Sequence, residues 1–109
     1  MGSVKKVDAS VVADAQRTRN RNLLKYSAQE HMDAVVREQD YDSMSNLCTY
    51  ATSTIAKFAA EGQAGVEWRD AVWAKCFQVI DEAETGIREF PSKEELIAEL
   101  PEVVWPNTK

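Results

Sequence analysis

The sequence predicts an all-α fold, a small bundle of four helices with a basic, partly flexible N-terminal arm. Glycine and proline are scarce, four and three in 109 residues, which argues against a turn-rich β-sandwich. Apolar residues recur at three- and four-residue spacing through most of the chain. Two Ser-x-x-Glu boxes, Ser27 to Glu30 and Ser92 to Glu95, stand just ahead of apolar runs. Such boxes satisfy the first free amides of a helix. A chain of this length makes one domain with a single modest core. Hydrophobic residues at 44% and charged residues at 28% suit a folded chain rather than a disordered one.

Taken in order, residues 1–8 read as a flexible tail, and residues 1–26 together as the basic arm. From Ala9 to Tyr26 the composition suits a helix, with Val11, Val12 and Ala15 on one side and Leu23 and Leu24 later. Between them, Gln16 to Asn22 contains no apolar residue, so this helix would be weak or dependent on a partner. The domain proper is expected over 27–105, with 106–109 as a tail.

The Ser27 box opens a short helix to about Gln39, with Ala28, Met32, Val35 and Val36 on its apolar face. Asp40-Tyr41-Asp42-Ser43 breaks the pattern, and Asp42 is a suitable N-cap for a second helix. That helix carries the most regular apolar stripe of the chain: Met44, Leu47, Cys48, Ala51, Ile55, Phe58 and Ala59. Glu61-Gly62-Gln63 ends it, with Gly62 in the left-handed cap conformation. A third helix, about Ala64 to Thr85, brings Trp68, Val72, Trp73, Cys76, Phe77, Ile80 and Ala83, and stops at Gly86. Its aromatic residues should supply much of the core. The Ser92 box opens a fourth, with Leu96, Ile97 and Leu100 facing inward and Pro101 as its stop. The segment Val103 to Pro106 should be extended, with Trp105 folded back onto the core.

Charge is unevenly distributed. Residues 1–26 hold six Lys/Arg against two Asp, a balance of +4, while the remainder holds seven basic and sixteen acidic residues, a balance of −9. The body should repel nucleic acid, and only the arm could attract it. No apolar run reaches the ~18–20 residues of a membrane span. The basic start leads into Asp8-Ala9-Ser10 rather than an apolar stretch, so no signal peptide is expected. A soluble protein without a membrane partner follows. Cys48 and Cys76 lie in apolar patterns and read as buried free thiols of a reducing compartment, with a single disulfide as the alternative.

Signals for catalysis are poor. His31 is the only histidine, on a short helix beside Glu30 and Asp33, and a packed or solvated histidine is the plain reading. No His/Cys pair has the short spacing of a metal site, and there is no Gly-rich phosphate loop, GxSxG or CxxC. The expectation is a non-enzyme with no cofactor, no metal and no catalytic residue. For binding, Trp68, Arg69 and Trp73 are the first candidates as a partner surface or its support, with Tyr41 and Tyr50 second. Five residues separate the two tryptophans by about 500° of helix, so they face different sides. Arg17, Arg19, Arg21 and Lys25 form a possible basic binding arm, although a lone nearby aromatic, Tyr26, makes no stacking platform for single strands.

Several pieces together carry a resemblance: His31-Met32-Asp33-Ala34, Tyr41-Asp42-Ser43-Met44, Tyr50-Ala51, Phe58 to Ala64, Trp68-Arg69-Asp70-Ala71-Val72-Trp73, and Pro91 to Pro101. In this order and spacing the stretch from His31 to Trp105 resembles a module of small tail-region proteins of tailed phages and prophages. The resemblance implies a non-enzymatic tail-associated structural or assembly protein that acts by protein–protein interaction. It implies as partners other phage tail proteins or a second copy of the chain. It places the protein in the host cytoplasm during synthesis, with entry into the virion left open. The alternative is a small nucleic-acid-associated regulator using the arginine arm, which the acidic body makes the less favoured reading.

Overall fold

The computed structural model describes residues 9–106, and side chains from residue 13 onward. The tail expected over residues 1–8, the side chains of Val11 and Val12, and residues 107–109 lie outside the described residues. The fold is all-α: α1 (Ala9–Arg37), α2 (Met44–Thr49), a 3-10 turn (Tyr50–Thr52), α3 (Ala56–Glu84) and α4 (Lys93–Glu99). Helices α1 and α3 run antiparallel. Arg21 pairs with Glu84, the Cys76 thiol lies 4.0 Å from the Leu24 carbonyl, and the His31 ring meets Trp68 edge-on at 6.1 Å. Helices α2 and α4 both pack against this pair and complete a core of Leu24, Ala28, Met32, Val36, Met44, Leu47, Val72, Cys76, Val79 and Leu96.

Four expected boundaries move, each for a physical reason. The capping box at Ser27 does not form, because α1 continues through it without interruption. Leu24, Ala28, Met32 and Val36 make one four-residue row, all buried, and only a continuous helix brings Leu24 into it. Burial of that row outweighs a local cap. Ser27 instead donates its hydroxyl to the Leu23 carbonyl at 2.7 Å, the usual way a buried mid-helix serine is satisfied. The helix therefore crosses the boundary placed between residues 26 and 27.

The stripe from Met44 to Ala59 belongs to two helices rather than one. Helix α2 ends at Thr49, the 3-10 turn follows, and α3 starts at Ala56. The Ser53 hydroxyl accepts from the Ile55 amide at 3.1 Å, a local bond that competes with helix continuation. Gly62, expected as a helix stop, lies in the interior of α3 and is buried. A Cβ there would overlap the backbone of Tyr50 and Ala51, so glycine is what lets the 3-10 turn lie directly on α3. The N-cap of α2 is Ser43 rather than Asp42. Its hydroxyl accepts from the Asn46 amide at 3.0 Å, and Asp33 of α1 accepts from the Met44 amide at 2.8 Å.

The remaining stops are where the sequence places them. α1 ends in a Schellman turn with Asp40 in the left-handed region (φ 68°), and Tyr41 donates to the Val36 carbonyl at 3.2 Å. Gly86 (φ 81°) ends α3 in the same way, with Ile87 donating to Glu82 at 2.8 Å. The second capping box is complete: the Glu95 amide reaches Ser92 Oγ at 3.1 Å, and the Ser92 amide reaches Glu95 Oε1 at 2.9 Å. Arg88 then bonds both oxygens of Glu99, at 2.8 and 2.5 Å, tying the loop after α3 to α4 and holding the Glu99 carboxyl below the usual carboxylate range. After α4 the chain is extended, and Trp105 packs back against the core.

Candidate functional site

Two ends of the α1 rod differ in chemistry, and the candidate binding residues fall on both. At its start, side chains 13–20 make only local hydrogen bonds among the described residues: Arg17 donates to Asp14, Thr18 to the Asp14 carbonyl, Arg19 to Gln16, and Gln16 to Asn20. The first long-range contact is Arg21 with Glu84, the last residue of α3. Residues 13–20 therefore make no hydrogen bond or ion pair to the rest of the bundle among the described residues, over about 12 Å of helix. Arg17, Arg21 and Lys25 are four apart and share one row. Lys25 lies 5.9 Å above the Phe77 ring. Leu23 and Tyr26, 54% and 62% exposed, sit at the base of this projection.

At the other end of α1, Tyr41 and Tyr50 come together as neither sequence position alone suggests. Their rings meet edge to face at 5.3 Å, and Phe58 of α3 continues the cluster at 5.7 Å from Tyr50. The Schellman turn places Tyr41 here, and the close approach at Gly62 places Tyr50. The Tyr41 hydroxyl donates to Glu61 Oε1 at 2.8 Å. Burial, and then that hydrogen bond and charge, push the Tyr41 phenol up to about 12. The rings wall a cleft of about 360 Å³ that also takes in Asp40, Asp42, Lys57 and Glu61. Phe58, Glu61 and the two aspartates were not among the sequence candidates. In the sequence Glu61 has the look of a helix end beside Gly62, and the acid–aromatic–acid run Asp40-Tyr41-Asp42 is the one signal of this cleft.

Trp68, Arg69 and Trp73 do not form one surface. Trp68 is 4% exposed and its indole donates to the Pro101 carbonyl at 2.7 Å, so it joins α3 to the segment after α4. It supports the fold rather than presenting a face. Arg69 pairs with its neighbour Asp70 at 3.1 Å and lies against Cys48 of α2. Trp73 is half-buried and leans on Phe77 with ring centroids 5.8 Å apart.

Both cysteines are free. Cys76 is buried, Cys48 is half-buried, and burial raises both thiols above their ordinary range. His31 is partly buried beside Trp68, and desolvation lowers its pKa from the ordinary 6.5 against the opposing charge of Glu38. Among the described residues no three His, Cys, Asp or Glu side chains are grouped so as to hold a metal ion. None of the described buried side-chain polar atoms lacks a hydrogen bond, and no described helix is long and apolar enough to cross a membrane.

The fold and these two ends define a small all-α protein with a basic projecting helix and an acidic aromatic cleft. Comparison with known proteins finds no matching family model, no similar curated protein and no similar solved structure.

Proposed function

We propose that this protein is a non-enzymatic, tail-associated structural or assembly protein of a phage or prophage, acting as a protein–protein interaction module. The observation that supports the interaction reading is the projecting start of α1. Among the described residues, side chains 13–20 of α1 bond only to their own helix, and docking on another protein would supply the tertiary packing from which helices draw most of their stability. The phage reading rests on the sequence resemblance. Many of the residues that carry it, including Tyr41, Gly62, Trp68 and Pro101, hold the bundle together, so the resemblance concerns the module's architecture more than its contact surface.

A nucleic-acid regulator would use the same cations. Against it, Arg21 is already bound to Glu84, and the chain beyond residue 26 carries a balance of −9. Affinity purification of the tagged protein from prophage-induced cells, with mass spectrometry of the captured proteins, tests the proposal. Tail proteins at near-stoichiometric levels support it. Recovery of nucleic acid or host regulators in their place overturns it.

A further inference from the structure

We infer that the cleft of Tyr41, Tyr50 and Phe58 receives arginine side chains from the start of α1 of a second copy, so that copies associate head to tail. The inference rests on the interaction reading above only in taking the ligand to be protein.

The cleft has the chemistry of a cation site. Three aromatic rings border it, and the face of such a ring accepts a guanidinium by cation–π and stacking contact. Three carboxylates, Asp40, Asp42 and Glu61, line it against a single cation, Lys57. Glu61 uses one oxygen for Tyr41, and among the described residues its other oxygen makes no hydrogen bond or ion pair. The side chains of Asp40 and Asp42 likewise have no cationic partner among the described residues, since Arg37 bonds the backbone carbonyl of Asp42. A phosphate backbone would be repelled here, and a guanidinium drawn in with charge-assisted hydrogen bonds. The volume, about 360 Å³, lies at the small end of ligand pockets and suits a side chain.

The same molecule carries the complementary group and cannot deliver it to itself. Arg17 and Arg19 stand on the free start of α1. Among the described residues Arg17 has only the exposed Asp14 as an ion-pair partner, a contact worth little, and Arg19 has only Gln16. Both lie at the opposite end of a continuous helix from the cleft, and Arg17 is about 30 Å along the axis from Arg37. Only another copy can bring the two together. Because the contact joins unlike surfaces, each copy can bind one neighbour with its helix start and another with its cleft. Assembly then proceeds to a ring if the rotation closes and to a filament if it does not.

Sedimentation of the full chain tests this with two charge variants. Arg17→Glu/Arg19→Glu alters only exposed positions on the helix start, and Asp40→Asn/Asp42→Asn alters only exposed positions at the cleft, with asparagine tolerating the left-handed conformation of residue 40. Circular dichroism establishes that both fold. The wild type should associate with rising concentration and dissociate with added salt. Each variant should associate at least about tenfold more weakly, a change of about 1.4 kcal/mol. Mixed together they should form one-to-one pairs and nothing larger, because each retains one intact half of the contact. Lys57→Glu should strengthen association.

Three results would overturn the inference: a wild type that stays monomeric up to its solubility limit, variants that associate like the wild type, or a mixture that remains monomeric. Failure to capture tail proteins from induced cells would sink the phage proposal and leave this one standing. A monomeric wild type that does capture tail proteins would do the reverse.

Discussion

Helix α1 contains two regions with the same backbone and opposite physics. From Leu24 to Val36 every fourth residue is buried, Asp33 caps a neighbouring helix, and Ser27 satisfies its hydroxyl inside the helix. Over residues 13–20 the side chains make only i,i+3 and i,i+4 hydrogen bonds among the described residues, each worth a few tenths of a kcal/mol. The first region is held by tertiary packing, and the second has none among the described residues. Conformation alone does not show which part of a helix is structural. What it touches does.

That contrast is broken most severely from the packed side. Trp68→Ala should cost about 3–5 kcal/mol, because it removes a buried ring and leaves the Pro101 carbonyl without its donor; chemical denaturation measures it. Gly62→Ala should cost about 3 kcal/mol by driving the 3-10 turn off α3, and a loss under about 1 kcal/mol would mean the turn can move freely. Asp33→Ala should cost about 1 kcal/mol, since the Met44 amide loses its side-chain acceptor at the start of α2. On the projecting side, Arg17→Glu/Arg19→Glu should change monomer stability by less than about 0.5 kcal/mol.

A smaller effect is expected from pH. The folded His31 binds a proton less readily than the unfolded one, so the unfolded state holds more protons once pH falls below 6.5. Stability should therefore decline as pH drops from 6.5 toward the folded pKa, and His31→Gln should remove that part of the decline. At the alkaline end the sign reverses in pH. Tyr41 keeps its proton in the folded state up to about 12, so its contribution is full below 10 and is lost as pH rises from 10 to 12.

The sequence made the fold class, the Gly86 stop, the Ser92 box and the return of Trp105 legible, because each depends on neighbours within a few residues or on burial of a large apolar ring. It misplaced what depends on distant partners. Ser27 and Glu30 have the local signature of a helix start, yet the Leu24 row settles the matter through contacts with α3. Gly62 looks like a stop, yet its missing Cβ serves the Tyr50–Ala51 backbone. The apolar stripe across Met44–Ala59 has the right period for one helix, yet only its first part packs into the core: Met44 and Leu47 are buried, while Ile55 is 53% exposed. Of the candidate site residues, Tyr41 and Tyr50 converge, while Trp68 turns inward and Trp73 faces another side. Their convergence rests on a Schellman turn and on a close backbone approach, neither of which periodicity encodes.

Hydrogen exchange along α1, followed residue by residue in dilute solution and again at high concentration, is the most direct test of a packed half joined to a half reserved for contact. The account predicts slow exchange from Leu24 to Val36 in both conditions. It predicts fast exchange before Arg21 in dilute solution, slowing as copies associate. Equal protection along the whole of α1 in the dilute monomer would contradict it, because the helix start would then be stabilised within the single chain.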